Sequence, residues 1–349
     1  MFDPAFTLIE DGKTFVLADI PAQGGVVDVP RAGTAGVIGA LKAGQGWIAR
    51  DMSVPSGDSP GVHLQTSGTT GTPKWAGHSL EGLIATIQPG REPARWLLTY
   101  NPGSFAGVQV ILSALVSGHM LVAPAYGASV GDMADLAIAH QVTHISGTPT
   151  FWRAFLMALG DRPLGLKAVT LGGEAVDQTI LDALKARFPG AILRHIYATT
   201  ELGRVFSVSD GRAGFPVKLL KGRLGLSDHG TLTVGGVDTG DVVEVVEDRM
   251  LFRGRADGMV NVGGVKVFPE TVEAHILASP WVQEVRVTSK PNPITGAILV
   301  ADIVLKPLPG DHEPEIRAHI AALPRAQRPA SLRFVEAIET GATGKKARF

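Results

Sequence analysis

Between about residues 60 and 200, short runs of β-branched and apolar residues alternate with amphipathic stretches of helical length. This alternation constrains the fold more than any other feature of the sequence. VHLQT (62–66), RWLLTY (95–100), HMLVAP (119–124), VTHIS (142–146), LKAVTL (166–171) and ILRHIY (192–197) read as strands. Leu80–Ile87, Val108–Val116, Met133–His140, Phe151–Leu159 and Gln178–Phe188 read as helices. Strand–helix repetition of this kind predicts parallel strands joined by right-handed crossovers. After Gly211 the pattern shifts to short strand-like pieces, TLTVGG, DVVEVVE and RMLFRGR, which predict a small β-rich subdomain. From Asp257 onward a hairpin-like MVNVGGVKVF precedes a helix, PETVEAHIL, with Pro269 suited to its first turn. Strands VQEVRVTS, AILVADIVLK and SLRFVEAI and a helix EPEIRAHIAAL follow. The expectation is an α/β fold in two domains. Residues 1–256 would form a large domain of mostly parallel sheets flanked by helices, plus the β-rich subdomain; residues 257–349 would form a smaller, mobile α+β domain.

Length and composition agree with that division. A chain of 349 residues exceeds one ordinary core, and 45% hydrophobic against 19% charged residues suits a buried globular interior. Basic and acidic residues, 32 against 33, nearly cancel, which removes the electrostatic case for a nucleic-acid partner. The absence of cysteine excludes disulfides and thiolate metal sites. The N-terminal MFDPAFTLIEDGK carries acidic residues where a signal peptide would be basic and then apolar. Val108–Val130 is uncharged but broken by Gln109, Ser113, Ser117, Gly118, His119 and Pro124, so it reads as a buried helix and strand rather than a membrane span. A soluble cytoplasmic protein without membrane insertion is expected.

The sharpest local signal is LQTSGTTGTPK, residues 64–74. Glycines let backbone N–H groups turn inward as an anion-binding nest, hydroxyls add donors for phosphate oxygens, and Lys74 adds a point charge. The run lies between a predicted strand and a helix beginning near Ser79. It differs from the P-loop pattern, because Pro73 separates the second glycine from the lysine.

This run resembles the phosphate-binding motif of the adenylate-forming superfamily, which includes acyl- and aryl-CoA synthetases and carrier-protein adenylation domains. Further motifs follow in family order to residue 345. LGGEAV (171–176) resembles the segment bordering adenine, and YATTE (197–201) resembles the family's Y-G-x-T-E with Ala198 in place of glycine. The resemblance implies an ATP-binding set of Thr66, Ser67, Gly68, Thr69, Thr70, Gly71, Lys74, Gly172, Gly173 and Glu174. It also implies that Tyr197 stacks on adenine, that Thr200 contacts the α-phosphate and that Glu201 holds Mg²⁺. TGD (239–241) implies a ribose contact for Asp241, and GRADG (254–258) implies another for Arg255 with Asp257 as the hinge of a domain rotation. GATGKKARF (341–349) resembles the terminal motif of the catalytic lysine, read as Lys345, with Lys346 the competing assignment. The implied reaction joins a carboxylic acid to ATP as acyl-AMP and then passes the acyl group to CoA. The two alternatives are loading of a carrier-protein thiol and a catalytically inactive nucleotide-binding homologue. Lys218, Lys221 and Arg223 are weak candidates for CoA contacts.

Two departures from the family pattern bear on the substrate. The phosphate loop begins near residue 64, whereas full-length relatives carry it well over a hundred residues in. This resembles compact members such as the o-succinylbenzoate–CoA ligases and raises the expectation of a homodimer. In TYNPGSFAGVQ (99–109), Ser104 and Phe105 stand where many relatives have an aromatic residue and a histidine. The acyl pocket is expected from Ser104, Phe105, Gly107, Thr148, Thr199 and their neighbours, a small and uncharged set suited to an apolar or aromatic acid. Arg204 could pair with a second substrate carboxylate, with solvent or with Asp210. His195 could border adenine or sit as a satisfied strand histidine.

Overall fold

The computed structural model describes residues 2–49, 60–66 and 74–338. They divide into two compact units, one holding the chain up to Glu174 with Leu184–Asp210, the other Ala175–Ala183 with the chain from Gly211.

In chain order the first part comprises β1 (Thr7–Glu10), β2 (Lys13–Val16), β3 (Val26–Asp28), α1 (Val29–Ala43), β4 (Gly46–Ala49), β5 (Val62–Thr66) and β6 (Lys74–His78). It continues through α2 (Leu80–Ile84), β7 (Arg95–Leu97), α3 (Phe105–Ser117), β8 (Met120–Ala123), α4 (Val130–Ala139), β9 (His144–Gly147) and α5 (Pro149–Leu159). It ends with β10 (Ala168–Gly172), α6 (Gln178–Arg187), β11 (Ile192–Thr199) and β12 (Gly203–Val208). The expected alternation is therefore present, with each element trimmed or extended by a few residues. An eight-stranded sheet runs β12-β11-β10-β9-β7-β8-β1-β2, parallel except at its two edge strands.

A second sheet, β3-β4-β5-β6, comes largely from the N-terminal region, where the sequence offered no clear periodicity. Glycine-rich α1 (VPRAGTAGVIGALKA) is a weak helix by propensity and forms because it is packed: Val37, Ile38 and Leu41 are fully buried. The same core takes Val62 and Leu64 from β5, Leu121 from β8 and Val108, Ile111, Leu112 and Leu115 from α3. A helix apolar nearly all round is what that double coverage requires. The strand β6 is an element that the sequence did not suggest: β5 and β6 pair antiparallel from Val62↔His78 to Thr66↔Lys74, and α2 then begins at Leu80 with Ser79 as its cap, where the helix was expected.

The second part contains β13 (Phe215–Pro216), β14 (Leu224–Leu226), β15 (Thr231–Val234), β16 (Val237–Val246) and β17 (Arg249–Arg255), in one sheet ordered β13-β17-β16-β15-β14. The hairpin β18 (Val260–Val262)–β19 (Val265–Val267), helix α7 (Pro269–Leu277), strands β20 (Val282–Asn292) and β21 (Gly296–Leu305), helix α8 (Glu313–Ala321) and strand β22 (Ser331–Phe334) follow. Val272 and Ile276 of α7 and Ile316 and Ile320 of α8 pack on Val285, Val287, Ala301 and Ile303 of the β20-β21-β22 sheet. No helix among the described residues is long and apolar enough to cross a membrane.

Candidate active site

The order of the large sheet fixes where a small ligand fits. The chain passes from β7 to β8 on one side and then returns past β7 to β9 on the other, so the order reverses between β7 and β9. Open α/β sheets bind ligands at such a switch point, outside the carboxyl ends of the strands. Ser104, Phe105 and Gly107 follow β7, Thr148 follows β9, Gly172–Glu174 end and follow β10, and Tyr197–Glu201 end and follow β11. All of these sequence-nominated residues thus gather at one edge of one sheet.

Local chemistry holds each segment. After β7, Asn101 forms a tight loop: its carbonyl accepts from the Ser104 N–H (2.9 Å) and hydroxyl (2.8 Å), while its side-chain oxygen accepts from the Gly103 N–H (2.9 Å). Ser104 also caps α3, accepting from the Gly107 N–H at 3.1 Å, so its hydroxyl is already engaged on both sides. Gly107 is a packing requirement, since a Cβ there would meet the Asn101 carbonyl oxygen at 2.1 Å. After β9, Thr148 caps α5 through the Phe151 N–H (3.0 Å), and the Glu174 carboxylate accepts from the Thr150 N–H (3.0 Å). Glu174 thus serves as an anion at a helix N-terminus. Across the switch point, Thr99 donates to the Ser146 carbonyl, and the buried Tyr100 hydroxyl bonds the Ser146 side chain. Burial, with the Glu174 charge adding to it, pushes the Tyr100 phenol well above its usual range.

The YATTELG segment is a hairpin: β11 and β12 pair antiparallel from His195↔Val208 to Thr199↔Gly203, with a bulge at Tyr197/Ala198. Thr200 and Glu201 stand in its turn, which Thr199 braces by accepting from the Leu202 N–H at 3.0 Å. The Tyr197 ring stacks on Phe206 with centroids 5.2 Å apart. Arg204 donates to the Thr86 carbonyl just past α2, which accounts for one guanidinium donor without a substrate or Asp210. His195 is buried mid-strand.

One site residue escaped sequence reasoning. His78 ends β6 in register with Val62, on the face that buries Val62 and Leu64, and its ring lies 5.8 Å from that of Phe105. Burial holds its pKa below the ordinary imidazole value; the Glu201 carboxylate opposes that shift and His63 adds to it. The available signal was its strand position, two residues after Ala76, which pairs with the buried Leu64 just as His78 pairs with the buried Val62.

In the second unit, Asp241 of β16 faces Arg255 of β17 in register. Arg255 reaches the Asp241 carboxylate (3.4 Å), the Thr239 carbonyl (3.3 Å) and the Asp257 carboxylate (3.0 Å). Gly240, at φ +72°, leaves room for that guanidinium, 3.0 Å from where its Cβ would stand. Asp241, Arg255 and Asp257 therefore form one ion-paired cluster. Thr66 closes β5 and Lys74 opens β6. Ser67, Gly68, Thr69, Thr70, Gly71 and Lys345 lie outside the described residues. Among the described residues no group of three or more His, Asp or Glu side chains could hold a metal unaided.

Comparison with known proteins agrees with this geometry. The profile of a family described as AMP-binding enzyme matches residues 17–269, and that of the AMP-binding enzyme C-terminal domain matches residues 271–345. The 2-succinylbenzoate–CoA ligase of Bacillus velezensis is 26% identical over 293 residues, covering 71% of this chain and 59% of its own. The benzoate–CoA ligase of Thauera aromatica is 27% identical over 342 residues, covering 82% of this chain and 64% of its own. The chain thus spans less than two thirds of the length of these two curated relatives. The o-succinylbenzoate CoA synthetase from Bacillus subtilis, solved with an acyl-adenylate intermediate, shares the fold at a TM-score of 0.65 and 16% identity, covering 98% of this chain and 94% of that one.

Proposed function

The chain belongs to the AMP-binding enzyme family, and from that premise we propose that it is an acid–CoA ligase that activates an apolar or aromatic carboxylic acid as acyl-AMP. The observation that carries the reading is the gathering of Tyr197, Thr200, Glu201, Glu174 and the Ser104–Gly107 segment at the carboxyl edge of the parallel sheet, beside its switch point.

In the first half-reaction the acid's carboxylate oxygen attacks the α-phosphorus of ATP, and the bond to pyrophosphate breaks. Two anions must approach, so the barrier falls with every fixed donor aimed at the developing charge. Tyr197 stacks on adenine; Thr200 donates to the α-phosphate; Asp241 accepts from the ribose hydroxyls with Arg255 beside it. The strand ends at Thr66 and Lys74 bracket the segment Ser67–Pro73, whose backbone N–H groups cradle the phosphates. Lys345 orients acid and phosphate. In the second half-reaction the CoA thiol attacks the acyl carbon and AMP leaves, after a rotation about Asp257 exchanges one face of the C-terminal region for another. Glu201, in the β11–β12 turn beside Thr200, suits a Mg²⁺ site of the kind that uses one carboxylate plus substrate phosphates. When bound, that ion would neutralise phosphate charge. The reading also includes a homodimer in the cytoplasm, the first point checked by light scattering.

Mass spectrometry of reactions containing MgATP and pooled acids, with and without CoA, tests it. AMP with one acid class and its thioester only with CoA is the expected result. Acyl-AMP without thioester transfers the second step to a carrier-protein thiol. ATP binding without any turnover favours the inactive homologue.

A further inference from the structure

Among the described residues, His78 Nε2 is fully shielded from solvent yet has no hydrogen-bond partner. A buried ring nitrogen left unsatisfied costs free energy, and in native structures such an atom calls for an explanation. Its surroundings supply one. The His78 ring faces Phe105, the first residue of α3 and a nominated wall of the acyl pocket. Phe105 in turn reaches Gly203, whose added Cβ would stand 3.8 Å from the Phe105 ring tip, and the Glu201 carboxylate lies within electrostatic range of the imidazole. The His78 ring thus lies beside the start of α3 and near the β11–β12 turn, the elements proposed to hold the acid and the α-phosphate.

The segment that follows His78 is tied down on two sides. Ser79 caps α2 through the Gly82 N–H (3.0 Å), Gln109 of α3 donates to the Leu83 carbonyl (2.9 Å), and Arg204 of β12 donates to the Thr86 carbonyl. These contacts tie the short helix that follows His78 to both α3 and β12.

We propose that His78 is a specificity-determining residue of the acyl site. Its Nε2 makes one hydrogen bond to a hydroxyl or carbonyl oxygen carried on the body of the acid, away from the reacting carboxylate. The ligand class is thus an aromatic or apolar acid with one oxygen substituent, rather than a plain hydrocarbon acid. A hydroxyl serves either tautomer of the ring, a carbonyl only the Nε2–H form. The inference rests on the ligase reading of the same site and narrows it.

The test uses matched acid pairs, such as benzoate against its three monohydroxy isomers and phenylpropanoate against its keto derivative. Dissociation constants by calorimetry and kcat/KM by AMP release are measured for the wild type, His78→Gln and His78→Phe. The wild type should favour one oxygenated acid over its parent by about tenfold to a hundredfold, which is about 1.4–2.8 kcal/mol. His78→Phe should erase the preference while retaining the parent acid, and His78→Gln should keep part of it; KM for ATP should stay within about twofold. A variant that weakens both members of a pair equally makes His78 merely structural and overturns the proposal. So does a wild type that shows no preference in binding or turnover. A preference that persists in binding, with no AMP formed from any acid, would instead overturn the ligase reading and leave His78 as a ligand contact.

Discussion

Replacing Gly107 by alanine probes the loop that presents Ser104 and Phe105. The new methyl would stand 2.1 Å from the Asn101 carbonyl oxygen and 3.1 Å from Pro102 Cα. Comfortable contact needs about 3.5 Å, so the loop must retreat by more than about 1 Å. It cannot do so freely, because the Asn101 carbonyl accepts from both the Ser104 N–H and hydroxyl. Overpacking against fixed backbone costs about 1–3 kcal/mol, and weakening those two hydrogen bonds adds about 1 kcal/mol. The better helix propensity of alanine returns up to about 1 kcal/mol. A net loss of roughly 2 kcal/mol is expected, read as a lowered denaturation midpoint. Gly190→Ala is the control, since nothing lies within 4 Å of its Cβ position. Misplacing Phe105 by this much should also reduce kcat/KM for the acid about tenfold to a hundredfold, with ATP binding retained. A Gly107→Ala protein as stable as the wild type to within about 0.5 kcal/mol would refute the packing argument.

Acid should destabilise the protein through His144, whose pKa burial lowers to about 4, helped by the His119 and Lys167 charges. The unfolded chain then binds the extra proton, so stability falls as pH drops from about 6.5 to 4 and levels below; the full shift corresponds to about 3 kcal/mol, discounted to about 1–2 kcal/mol for partial solvent exposure. Denaturation midpoints at pH 7 and 4.5 should differ less in His144→Phe than in the wild type. Glu174→Ala should cost about 1–3 kcal/mol by removing the acceptor of the Thr150 N–H at the start of α5, measured by chemical denaturation; no change would remove Glu174 from that role. Lys345→Ala should abolish acid-dependent AMP formation yet largely spare thioester formation from supplied acyl-AMP, and equal loss in both steps would contradict its assigned role.

The alternation over residues 60–200 made the large sheet legible because strand and helix periods differ and inner strands such as β8 and β10 carry unbroken buried runs. Its N-terminal companion sheet was not legible: β3 and β4 are short, and α1 carries glycines that hide its periodicity until packing supplies the missing stability. The strand β6 was hidden by its composition, KWAGH, which lacks β-branched residues and is specified by its partner β5. The motif residues near Tyr197 and Glu174 could be located from order along the chain. Sequence could not indicate that Ser104, Thr148 and Glu174 spend hydrogen-bonding capacity on helix caps, because capping depends on which backbone N–H groups a fold brings near. His78 stayed invisible for a related reason: its meaning comes from Phe105 and Glu201, distant in sequence and adjacent in space.

The central claim is adenylation, and acid-dependent exchange of labelled pyrophosphate into ATP measures that step without CoA or product release. The account predicts exchange that requires an acid and a divalent metal ion, needs no CoA, and falls sharply in Glu201→Gln. Exchange that proceeds without any acid, or its absence with every acid tried despite measurable ATP binding, would contradict the account.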